Sequence, residues 1–156
     1  MIIPKTRRSA VVHWSDDRFM EVSFFLQAYA EAHSGRELIL DVFNSAHDFL
    51  PLEETQQKKI ILANKRRIRW VELKEKDLLV DVMFPQEQLV EVEMSGGTVF
   101  GGKFPVEMPP ERSRLSDHLN FTPQFLYLIR ETGDLILNKS YLLLVRDVGG
   151  DAHPHA

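Results

Sequence analysis

RELILDVFNSAHDFLPL, residues 36–52, lies over RSRLSDHLNFTPQFLYL, residues 112–128, when the chain is slid against itself by 76. Arg36 then meets Arg112, Asp41 meets Asp117, Asn44 meets Asn120, Phe49 meets Phe125, Leu50 meets Leu126 and Leu52 meets Leu128. A slide of 74 sets IILANKRRIRWV over LILNKSYLLLV, so that Asn64 meets Asn138, Lys65 meets Lys139 and Val71 meets Val145. A slide of 80 matches Val12 to Val92, Ser15 to Ser95 and Phe24 to Phe104. The three slides differ by short insertions that fall where loops are expected. Self-similarity in fixed order is the mark of a duplicated unit, and here it decides the fold.

Each unit reads alike. A hairpin comes first: VEVEM and VFGGKF alternate about Ser95-Gly96-Gly97, and Gly-Gly suits a two-residue turn. Ser15-Asp16-Asp17 holds that place in the first unit. A loop ending in a short helical turn follows, at 37–44 and 113–120. Two strands come next, FLPL with KKIILA and FLYLI with LILN, and RIRWVEL or YLLLVRD closes the unit. Their β-branched and aromatic content favours strands. QAYAEAH, within residues 21–35, holds good helix formers and predicts an extra helical piece in the first unit.

A unit of this size buries only about 60% of its unfolded surface and is marginal alone. Two units are therefore expected to share a core and cover each other's open edges. The predicted fold is mostly β with short helices: two homologous small β-barrel units, SH3- or Sm-like, packed as a pseudo-twofold pair. The first unit spans 8–73, the second 88–148, and 149–156 is a flexible tail. The joint falls at 73–88, where charges and Pro85 suit a connector.

Composition bounds the function. Of 156 residues, 44% are hydrophobic and 27% charged, the balance of a soluble globular chain. A net charge of −4 weighs against a general nucleic-acid or anionic-membrane binder. The chain has no cysteine, which excludes disulfides, thiolate zinc sites and a cysteine nucleophile. The opening MIIPKTRRSA does not read as a signal peptide, and no apolar run reaches membrane-span length. A cytoplasmic location is expected.

Arg114, Asp117, His118 and Asn120 stand almost in a row. Asp41/Asn44 and Asp117/Asn120 repeat at a spacing of three, which suits a helical turn capped by aspartate and ended by a left-handed asparagine. Leu115 and Leu119, four apart, would tuck under the sheet, and Thr122-Pro123 would stop the turn. Arg114 and His118 have no counterparts in the first unit, where Leu38 and Val42 sit. A binding surface of Arg114, Asp117, His118 and Asn120 would thus belong to the second unit alone. No nucleophile–base–orienter order emerges from it.

The second unit, with its hairpin, RLSDHLN, FLYL and LLLVRD, resembles a small uncharacterised bacterial domain family. Its members carry an arginine–leucine–serine–aspartate–x–leucine–asparagine motif between two pairs of strands. The resemblance covers about residues 88–147. It implies a tandem duplication in which the first unit keeps Asp41 and Asn44 and lacks the preceding Arg, Leu and Ser. The family carries no assigned activity, so the resemblance bears on fold and domain count.

QQKKIILANKRRIRW, residues 56–70, is the one basic concentration. Lys65, Arg66, Arg67 and Arg69 beside Trp70 suit single-stranded nucleic acid. Period-two alternation instead sends Arg67 and Arg69 outward, with Ile68 and Trp70 inward. His13, His33, His47 and His118 are scattered, and the DAHPHA tail reads as a flexible end, so no metal site is expected. SGGTVFGG, residues 95–102, lacks the helix a phosphate loop needs; Gly101-Gly102 marks a bulge or a close backbone approach. The expected function is that of a non-enzymatic interaction module with a protein partner or itself, without cofactor. An Sm-like nucleic-acid binder and an enzyme using Arg114, Asp117 and His118 are the alternatives.

Overall fold

The computed structural model describes residues 5–28, 35–78, 86–106 and 115–149. The chain is mostly β, with the strands arranged in two sheets. β1 (Lys5–Trp14) and β2 (Phe19–Gln27) form a hairpin, followed by helix α1 (Ile39–Phe43). β3 (Phe49–Glu54), β4 (Lys59–Asn64), a 3₁₀ turn (Lys65–Arg67) and β5 (Ile68–Leu73) complete the first half. The second half runs β6 (Gln86–Met94), β7 (Val99–Val106), α2 (Leu115–Phe121), β8 (Phe125–Leu128), β9 (Leu135–Asn138), a 3₁₀ turn (Lys139–Tyr141) and β10 (Leu142–Asp147). The helical piece expected at QAYAEAH is strand up to Gln27, and residues 29–34 lie outside the described residues.

Hydrogen bonds recur between the halves residue by residue. Ala10 pairs with Val22 across β1–β2, and Val90 with Gly102 across β6–β7. Val12 faces Val71 and Val92 faces Val145, each beside a register shift in the same place. Phe49 faces Asn64 as Phe125 faces Asn138. The Asn64 side chain accepts from Arg66 N–H, and the Asn138 side chain from Ser140 N–H, so each opens its 3₁₀ turn. The hairpin turns match too, with Asp17 at φ 72° and Gly97 at φ 98°, backbone that favours glycine.

The seven-stranded sheet runs β4-β3-β2-β1-β5-β9-β8, and the second sheet runs β10-β6-β7. An isolated bridge joins β7 to β8, where Lys103 and Ile129 exchange N–H···O bonds of 2.9 Å. Gly102 makes that approach possible: a Cβ there would stand 2.6 Å from the Ile129 carbonyl oxygen. Gly102 thus serves a close approach, in regular register and without a bulge, whereas a Cβ at Gly101 would meet nothing within 4 Å.

Two expectations need correction. The sheets stay open, so no closed barrel forms. The halves also do not meet about a twofold, which would bring like strands together. β5 pairs with β9, whose counterpart in the first half is β4. One edge of each half is covered, while β4 and β10 end the ribbon with no strand on their outer sides among the described residues.

Alternation explains the two cores. Ala10, Val12, Val22, Phe24 and Leu26 send one face of the hairpin into the first core, with Ile39 and Phe43 of α1. Val90, Val92, Met94 and Phe104 do the same in the second. β8 and β9 are buried on both faces: Phe125, Tyr127 and Ile136 enter the first core, and Leu126, Leu128, Leu135 and Leu137 the second. Trp70 crosses the other way, into the second core.

Candidate functional site

Among the described residues the polar row is split, with His118 buried and Asn120 exposed. Asp41 accepts the Leu38 N–H at 2.8 Å and so closes the first turn of α1. Asn44 ends that helix at φ −91°, which is not left-handed; its side chain has another task. The Asn44 amide oxygen accepts the Phe125 N–H at 2.9 Å, and its amide nitrogen donates to the Phe125 carbonyl at 3.1 Å. A side chain that reproduces both bonds of a strand neighbour pins α1 to the start of β8. In α2, Asp117 sits in the first turn and Asn120 is exposed near the end. Arg114 lies outside the described residues.

His118 is turned inward, only 6% exposed, with its ring 5.2 Å from Phe104. Neither ring nitrogen has a hydrogen-bond partner among the described residues. Burial, helped by nearby Lys139, pushes its pKa below the ordinary histidine value. Among the described residues no carboxylate bonds this enclosed imidazole, so it lacks the exposed, carboxylate-paired geometry that an enzyme using Arg114, Asp117 and His118 calls for. It does affect stability. The unfolded chain binds the His118 proton below about pH 6.5 while the folded chain resists it, so stability falls as the pH drops through that value. His13 shifts the same way, burial outweighing its bond to Glu72. His118→Phe should therefore lose less stability than the unmodified chain between about pH 7.5 and 5.5, read as the change in urea midpoint. Equal losses would refute the assignment.

The basic segment is dismantled by the fold. Lys65 is buried, and its ammonium donates to the Ser45 carbonyl at 2.6 Å, past the end of α1. Lys139 does the same for α2 through the Thr122 carbonyl at 2.7 Å. A cation at a helix C-terminus complements the exposed carbonyls there. Burial lowers the pKa of both lysines. Arg69, expected outward, is buried instead: it donates to the Trp14 carbonyl at 2.9 Å, pairs with Asp17 at 3.2 Å and lies over the Trp70 ring at 4.5 Å. It ties β5 to the hairpin turn. Arg66 pairs with Asp48 at 3.1 Å, and Arg67 is exposed. Lys65, Arg66, Arg67 and Arg69 do not make a phosphate-tracking groove.

The connector also differs from expectation, because Asp77 is 1% exposed. Its carboxylate pairs with Arg36 at 2.9 Å and accepts the Ile39 N–H. Its own N–H donates to the Tyr127 hydroxyl at 3.0 Å, and that hydroxyl donates to Asp134 at 2.6 Å. Burial and Asp134 raise the Tyr127 pKa far above the ordinary phenol, so it stays neutral. Lys76 reaches Asp134 at 3.2 Å. These residues stitch α1, the connector and β8–β9 together. A shallow hollow of about 290 Å³ is lined by Arg7, Ser9, Ser23, Glu53, Thr55 and Lys58, with Arg7 paired to Glu53.

What remains is the pair of open edges. Phe49, Pro51, Ile60 and Leu62 point outward from β3–β4 and are exposed, Leu62 at 70%. Their counterparts on β8–β9 are Phe125, Tyr127, Asp134 and Ile136, all buried, Ile136 completely. On β10, Leu143 is 63% exposed where its counterpart Arg69 is buried. Apolar side chains beside unpaired strand groups form a surface suited to another chain. Among the described residues no helix is long and apolar enough to cross a membrane. The fold and site thus define a mostly β chain whose prominent exposed feature is a pair of apolar strand edges. Compared with protein-family models, curated proteins and solved structures, the chain matches none.

Proposed function

We propose that this chain is a non-enzymatic interaction module, built from two related SH3- or Sm-like units, that engages a protein along its open strand edges. The exposed apolar face of Phe49, Pro51, Ile60 and Leu62 carries this reading, since a solitary chain gains nothing from it. An added strand would satisfy the outward backbone groups and cover these side chains together. The residue-by-residue recurrence of hydrogen bonds supports the tandem units, and the buried His118, Lys65 and Arg69 weigh against catalysis and nucleic-acid binding.

A photoreactive phenylalanine analogue placed at Leu62, or separately at Leu143, tests this in living cells. A discrete protein adduct from these positions, absent from the same analogue at exposed Phe19, is expected. A nuclease-sensitive adduct would transfer the function to nucleic acid. No adduct from either edge would overturn the reading.

A further inference from the structure

We infer that the partner at the open edges is a second copy of this chain, joined head to tail with β10 of one copy against β4 of the next. This rests on the interaction-module reading and names its partner. The template lies inside the molecule. β5 pairs antiparallel with β9 through Trp70–Leu137, Val71–Ile136 and Glu72–Leu135. β10 and β4 are the counterparts of β5 and β9 in the other halves, and both are open. Transferring the internal junction gives Leu144 opposite Ala63, Val145 opposite Leu62 and Arg146 opposite Ile61.

The side chains follow the same rule. In the internal junction Phe125, Tyr127 and Ile136 fill the first core beside α1, and Phe43 meets Phe125 at 4.9 Å between ring centres. On the open face Phe49, Pro51 and Leu62 stand ready for the matching place beside α2, where Leu119 takes the position of Phe43. The internal clamp of Asn44 on the Phe125 backbone has its counterpart as well. Asn120 is exposed at the end of α2, and Phe49 is 58% exposed at the start of β3. Asn120 of one copy is thereby placed to hold the Phe49 backbone of the next. The Asn138 amide donates across the internal junction to the Ile68 carbonyl at 2.9 Å, and Asn64 would reach Leu142 of the neighbour in the same way.

Unlike edges that join head to tail generate either a closed ring or a growing filament, and never a twofold dimer through like edges. The absence of native cysteine makes the register directly readable. Leu73 N–H donates to the Asp134 carbonyl at 3.0 Å, so alternation makes Glu72–Leu135 a non-hydrogen-bonded pair. Such a pair brings Cα atoms to about 4.5 Å, within disulfide range. Its counterpart between copies is Arg146–Ile61.

The experiment has two arms on the full chain. Sedimentation velocity over a concentration series should show a discrete ring or a rising ladder of species for the unmodified protein. Leu62→Lys and Asn120→Ala should each shift it to the single chain while far-ultraviolet circular dichroism stays unchanged. Under mild oxidation, mixing Arg146→Cys with Ile61→Cys should give a mixed disulfide dimer. Arg146→Cys mixed with Leu62→Cys, one residue out of register, should give little. A chain that stays single at all concentrations overturns self-pairing; the in-cell adducts then show whether the module reading survives with a different protein. Efficient self-crosslinking of Arg146→Cys alone overturns the head-to-tail geometry, because only like edges would bring those residues together.

Discussion

Ile136→Lys should leave no folded protein, whereas Leu62→Lys at the matching position should leave the single chain as stable as before. Ile136 is completely buried between β5 and β8 and packs into the first core. A lysine there strands an ammonium among apolar side chains and removes a well-packed isoleucine. Each of these costs about 3–5 kcal/mol, against a total stability of about 5–15 kcal/mol for a domain. Leu62 is 70% exposed, so its ammonium stays in water and the change should lie within about 0.5 kcal/mol. Urea titration followed by circular dichroism reads both. A cooperative transition for Ile136→Lys near that of the unmodified chain would show that the covered edge contributes little.

Asp77→Ala should also be clearly damaging, at less than half that cost, although its residue lies in a segment that reads as a plain connector. The substitution removes the carboxylate that pairs with Arg36 and accepts the Ile39 N–H, in a place almost closed to water. A buried donor left without acceptor costs about 1–3 kcal/mol. Arg36, itself 32% exposed, recovers part of its hydration. The sum is about 3 kcal/mol, and Asp77→Asn, which keeps an acceptor oxygen, should cost about half of that. The ordering of the two variants is the test. If alanine and asparagine prove equally harmless, the carboxylate does not join α1 to the connector.

Much of the backbone was legible because hydrophobic alternation and turn residues act locally. The Ser95-Gly96-Gly97 hairpin, the short helices around Asp41 and Asp117 and the closing strands all lie where period and turn chemistry put them. The way the halves meet was harder to read, since strand pairing between units depends on which edge is least costly to leave open. FLYL with LILN is apolar almost throughout, as suits strands buried on both faces, yet FLPL with IILA is just as apolar, so the strands alone do not mark which pair is covered. Arg69 departs from alternation because it is the extra residue at the register shift between His13–Trp70 and Trp14–Ile68, and its guanidinium can be buried because a carbonyl and a carboxylate receive it. Asn44 was assigned to its own helix because its partner, the Phe125 backbone, is distant in sequence.

The exchange of side chains between the cores has a thermodynamic consequence. Trp70 leaves the first half to complete the second core, and Phe125, Tyr127 and Ile136 leave the second half to complete the first. Neither half can melt without removing part of the interior of the other. A chain built from two similar halves should therefore lose its structure in one cooperative step, with no populated species in which one half persists after the other has gone.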